Sequence, residues 1–187
     1  MVKLVWKESR ELGVGIGKCN YMGHEGWLSV FHYKPGGNIV MAGDENRLYH
    51  ANVTKLKAVT VNEETAVDKS EQNVLYDDIA VLALKIHNEL RFKHIDTDQL
   101  TLSTDCCATA QFVANKGLLQ NSEPHECNSY GENMSVYTGV TKEEAVESAI
   151  RGYYEQIHDY SYENPRKIKK GKTVGNFTQV LDNLKSI

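Results

Sequence analysis

Apolar and polar positions along this chain alternate at strand period near the start and at helical period in the second half. Residues 2–6 form a short β-branched and aromatic run ending at Trp6, polar residues then turn the chain, and a run interleaved with Gly13, Gly15 and Gly17 follows. That pattern predicts the middle of a β-hairpin with no lead-in element before it. Residues 21–26 are a Gly-flanked polar turn, and residues 27–33 are a second strand rich in aromatic and β-branched side chains. Pro35, Gly36 and Gly37 break that strand. Residues 54–78 are polar and acidic without a sustained period, as a linker would be, and a flexible chain of that length spans on the order of 30 Å.

Beyond the linker, Asp77 or Asp78 caps a helix whose apolar face is Ile79, Leu82, Ile86 and Leu90. A second helix is expected over about 105–115, with Gly117 as its C′ residue. A loop carrying Pro124, His125 and Cys127 follows. Thr141 and Glu144 form a capping box for a third helix reaching about Tyr160. A basic loop over 166–172 is expected to be solvated, and it precedes a final run at 175–181.

Composition narrows the class without choosing a function. The chain has 187 residues, is 41% hydrophobic and 25% charged, and carries a formal charge of −4. That suits one soluble domain with a sizeable core and leaves two full domains cramped. The mild acidity gives no support to a nucleic-acid partner. No apolar run reaches the length of about 18 residues that spans a bilayer. The amino end shows no apolar h-region of a signal peptide, and Val2 stands where N-myristoylation requires Gly. Cys19, Cys106, Cys107 and Cys127 are sparse for a disulfide scaffold, and the reading favoured is reduced, packing thiols. No catalytic triad is visible and no G-x-S-x-G occurs. The G-x-G-x-G run at 13–17 lacks the following helix a nucleotide loop needs, so it reads as strand. Sequons occur at Asn52, Asn133 and Asn176 and mildly disfavour a secretory route.

Joined tail to head, GNFTQ at 175–179 followed by LVWKESRELGVG at 4–15 resembles the first signature of the CAP family (cysteine-rich secretory proteins, antigen 5 and plant pathogenesis-related proteins). Tyr33, Pro35, Gly37 and Asn38 resemble its second signature, Y-x-P-x-G-N, with Phe31 where the family has Cys. His87, Asn88, Arg91 and His94 resemble H-N-x-x-R-x-x-H of its first helix, and residues 131–134 resemble G-E-N-L. The likeness is nearest the cysteine-poor, Golgi-associated branch. It covers 2–53 and about 80–182, with the blocks in reversed order. Residues 1–53 read as the C-terminal block of a CAP domain, 54–78 as the linker and 79–187 as an N-terminal block. The order fits a circular permutation or a slice of a tandem array. The strand before the turn appears twice, at 2–6 and at 178–181, which favours the slice.

The resemblance implies an α/β fold, a three-layer α-β-α sandwich with strands from the N-terminal block and helices mainly from the C-terminal block. In the family, a cleft of two His and two Glu binds a divalent metal in several members. Carried over position by position, that cleft is Asn121, Glu132, Gln156 and Asn176. An amide is a poor transition-metal ligand, so only Glu132 keeps its chemistry. His125 and Glu155 are the substitute ligands a metal-dependent hydrolase would need. His87, Asn88 and Arg91 are expected to be structural. The reading is therefore a non-enzymatic binding or interaction protein without a cofactor. The resemblance offers a lipid, a sterol or a protein as ligand, and a domain-swapped homodimer as one form of partnership. It leaves the compartment open, because family members are mostly extracellular and a minority Golgi-associated.

Overall fold

The computed structural model describes residues 4–37, 42–58, 76–116 and 130–165. The chain is mixed α/β. Among the described residues the sheet has four strands in the order β3-β1-β2-β4, where β1 is Glu11–Tyr21, β2 is His24–Lys34, β3 is Thr101–Leu102 and β4 is Gly131–Thr138. β1 and β2 form a hairpin across the two-residue turn Met22-Gly23, with both turn residues at positive φ. β4 runs antiparallel to β2, and β3 pairs in parallel with the start of β1. Two central strands from the first block thus lie between two strands from the second. The expectation that strands come from the first block alone is corrected here. In β4 the polar residues Glu132, Asn133 and Ser135 hide a strand signal that resides mainly in Val136 and Tyr137.

Side-chain alternation along β1 and β2 gives the sheet two unlike faces. Leu12, Val14, Phe31 and Tyr33 join a core with α2 (Asp78–Phe92) and α4 (Lys142–Glu155). Leu28 and Val30 point the other way, into a second cluster with Ala110, Val113 and Ala114 of α3 (Thr104–Lys116). On that face β1 offers glycine, and α3 presses directly on its backbone. A Cβ on Gly15 would collide with the Ala110 carbonyl and the Gln111 nitrogen. This close approach lets the Gln111 amide reach the open edge of β1, accepting from the Ile16 N–H (3.1 Å) and donating to the Ile16 carbonyl (2.8 Å). The edge is thereby closed to strand addition by a side chain. Gly15→Ala should lift α3 and cost about 1–3 kcal/mol, the usual range for overpacking. Thermal melts read it, and an unchanged midpoint would contradict the contact.

Both long helices begin where their caps predict. The Asp77 carboxylate accepts from the Ile79 N–H, and the Thr141/Glu144 capping box is complete. α4 stops as an α-helix at Glu155 and tightens into a 3-10 turn over Gln156–Asp159, short of the expected Tyr160. In α2 the buried stripe is Ile79, Ala83, Ile86, His87, Leu90 and Arg91, with Leu82 at its margin.

Two other expectations change. Leu4, Val5 and Trp6 are fully buried, yet they form turns, and β1 starts only at Glu11. The carbonyls of Leu4 and Trp6 are claimed by a guanidinium, as described below, in place of a strand ladder. A short helix, α1 (Arg47–Asn52), precedes the segment read as a linker. Residues 54–58 are not linker: Lys57 N–H donates to Lys93 O and Ile95 N–H to Lys55 O, docking this stretch on the end of α2.

Candidate functional site

Glu132 sits on the edge strand β4 directly opposite His32 of β2, so both side chains leave the same face of the sheet, the one covered by α3. His32 Nε2 meets Glu132 Oε2 at 2.9 Å, and His32 Nδ1 meets Thr109 Oγ1 of α3 at 2.9 Å. Tyr130 stacks on the imidazole, with ring centroids 5.5 Å apart and planes inclined by 12°. With Glu132 ionised, Nε2 carries a proton and donates it to the carboxylate. Thr109 then donates its hydroxyl to Nδ1, or accepts from Nδ1–H of an imidazolium while donating to Cys106 O (3.0 Å). Either way both ring nitrogens are engaged. His32 is 6% exposed at its side chain and Glu132 is 26% exposed, so the imidazole is a buried clamp and the carboxylate is the group solvent can reach. Such a site accepts a hydrogen bond or a positive charge from a ligand.

Of the other expected cleft residues, Asn121, His125 and Asn176 lie outside the described residues. Gln156 is half-buried at the end of α4, the helix that packs on the opposite face of the sheet from His32 and Glu132. Glu155 is exposed, and its carboxylate faces the equally exposed His158 at 3.3 Å. It therefore points into solvent from the last turn of α4. Among the described residues no group of three or more His, Cys, Asp or Glu is arranged to hold a metal ion. His32 escaped the sequence reading. Its one signal is an imidazole at a position where Leu28 and Val30, four and two residues earlier, mark a buried face.

The helix α2 residues of the H-N-x-x-R-x-x-H pattern are tied into the core. Asn88 makes paired bonds with the backbone of Leu100, donating to its carbonyl (3.0 Å) and accepting from its N–H (2.8 Å). His94 bonds the Thr54 carbonyl (2.7 Å) and the Tyr154 hydroxyl (3.1 Å). His87 is fully buried with Nδ1–H donating to Ala83 O (2.8 Å) and Nε2 accepting from the Tyr33 hydroxyl (2.9 Å). Each of its two nitrogens is satisfied in the neutral form, and a second proton would have no acceptor.

Burial, reinforced by the nearby Arg91 charge, lowers the His87 pKa from 6.5 to about 4. The sign follows directly. Between those values the unfolded chain binds a proton that the folded chain refuses, so stability falls as pH drops below 6.5 and levels off near 4. The full loss is about 3 kcal/mol at 1.36 kcal/mol per pH unit. Burial lowers the His94 pKa as well, so its contribution has the same sign. Urea unfolding at pH 7 and at pH 4.5 should show this, and His87→Gln should flatten the dependence. A His87→Gln profile as steep as that of the natural protein would remove His87 as the cause.

A groove of about 780 Å³ lies elsewhere, between the β1–β2 turn, the end of α3 and the start of α4. Lys18, Trp27, Asn115, Lys116 and Glu144 line it, with Lys18 Nζ 5.7 Å from the Trp27 ring centroid. Trp27 and His32 are five residues apart on β2, roughly 17 Å at about 3.3 Å per residue. The groove is therefore separate from the Glu132 site. No family model matches this chain, and no solved structure matches it.

Proposed function

We propose that this chain is a binding or interaction protein of the CAP type rather than an enzyme. Its layers would correspond to the α-β-α sandwich of that family, and its cleft at Glu132 is degenerate. The single observation that supports this most is the state of Glu132: its carboxylate is clamped by an imidazole whose second nitrogen is also engaged. A catalytic zinc wants about three protein ligands and a structural one four. Here amides occupy three of the four positions carried over from the family, at Asn121, Gln156 and Asn176. Following the same resemblance, the ligand is a lipid, a sterol or another protein, received where Glu132 meets solvent.

Calorimetry with zinc at neutral pH tests this reading. No heat that depends on Glu132 is expected from the natural sequence. Micromolar binding by the natural protein that disappears in Glu132→Ala would overturn the reading and restore a metal-dependent hydrolase using Glu132 with substitute ligands.

A further inference from the structure

Two of the three glycan-acceptor sequons fall on asparagines that the fold uses as internal anchors. Asn52 closes α1 and is 1% exposed. Its Nδ2 donates to Leu48 O (3.2 Å), its Oδ1 accepts from the Glu8 N–H (3.0 Å), and its own carbonyl accepts from the Lys7 N–H (3.0 Å). The residue staples the opening segment onto α1. Asn133 is 2% exposed in β4, and its Nδ2 is directed at the Tyr33 hydroxyl (3.4 Å) inside the core. The hydroxyl residues of the same sequons are engaged too, Thr54 with Thr97 and Ser135 with the Tyr153 hydroxyl.

Glycan transfer acts on exactly the atom that is buried here: a bond forms between the sugar's anomeric carbon and Nδ2. The sugar leaves its lipid pyrophosphate carrier, and Nδ2 gives up one proton. The product is bulky and hydrophilic and belongs on a surface. Transfer also takes place on the emerging chain, so later burial gives no protection. A sugar on Asn52 would sit between α1 and residues 7–8, and one on Asn133 between β4 and Tyr33. Neither site has room, and the polar sugar would be buried without partners.

We propose that this protein folds in a compartment that N-glycan transfer does not reach, with Asn52 and Asn133 unmodified. The same conclusion holds whatever the Glu132 site binds. A separate observation agrees with it. Among the described residues Cys19, Cys106 and Cys107 are free thiols, and Cys106 is fully buried against Gly13, as suits a reducing environment.

The test routes the full chain into the secretory pathway of a eukaryotic cell behind an added signal peptide, with the unrouted chain beside it. Peptide mass spectrometry reads Asn52 and Asn133, and thermal melting reads the fold. The unrouted chain should carry neither glycan and melt cooperatively. The routed chain should be glycosylated at one or both positions and be lost as folded protein. Blocking glycan transfer with an inhibitor should restore it without any substitution. A routed chain that carries a glycan on Asn52 or Asn133 and still melts like the unrouted one would overturn the proposal. So would a routed chain left unglycosylated without the inhibitor, or one that the inhibitor fails to rescue.

Discussion

Arg91→Ala should lose about 4 kcal/mol of stability, because each carbonyl left buried without a donor costs about 1–3 kcal/mol. Arg91 is fully buried and meets no carboxylate at hydrogen-bond distance among the described residues; its guanidinium instead serves backbone carbonyls. Nη1 donates to Leu4 O (2.9 Å) and Trp6 O (3.0 Å), Nη2 to Ser9 O (3.0 Å), and Nε to Asp98 O (2.7 Å). Burial, together with the repulsion of Arg10, lowers its pKa only to about 10, so it stays charged at neutral pH. Charge-assisted bonds of this kind are worth about 1.5–3 kcal/mol each, and after truncation the Trp6 carbonyl keeps the Ser9 N–H (3.1 Å) while the others lose the guanidinium. Arg91→Lys should recover only part of the loss, because a compact ammonium cannot span carbonyls from residues 4, 6, 9 and 98. Urea unfolding measures both variants. A loss below about 1 kcal/mol for Arg91→Ala, an ordinary surface value, would show that the carbonyls find other donors.

The same side chain explains why part of the fold could not be seen in the sequence. Residues 4–6 have strand composition, but the carbonyls of Leu4 and Trp6 turn inward to a guanidinium eighty-five or so positions away. Local propensity carries no information about such a contact. Elements with local signals were legible: the Asp77 cap, the Thr141/Glu144 box, and the hairpin of β1 and β2 with its Gly at alternate positions. α1 was not, because Arg47–Asn52 is too short to show a helical period and owes its place to bonds with residues 7 and 8. At the candidate site Glu132 was legible through its motif. Its partner His32 was not, since the pair is 100 positions apart and only the strand register brings the two together. Thr109 adds a third element, which neither strand pattern foretells.

The account rests on one structural claim, that both blocks of the chain build a single cooperative unit. β1 and β2 alone would expose two apolar faces, and α2 and α4 alone would expose the stripe that packs on Leu12, Val14, Phe31 and Tyr33. Neither arrangement can bury enough apolar surface by itself. The Arg91 contacts add polar ties that need both blocks present, since they join α2 to the carbonyls of Leu4, Trp6 and Ser9. The most direct measurement is thermal and urea unfolding of residues 78–187 alone, of residues 1–58 alone, and of an equimolar mixture. The expected result is no cooperative transition for either piece and one shared transition for the mixture. If residues 78–187 melt cooperatively as a soluble monomer, the two blocks do not complete one another and the account fails.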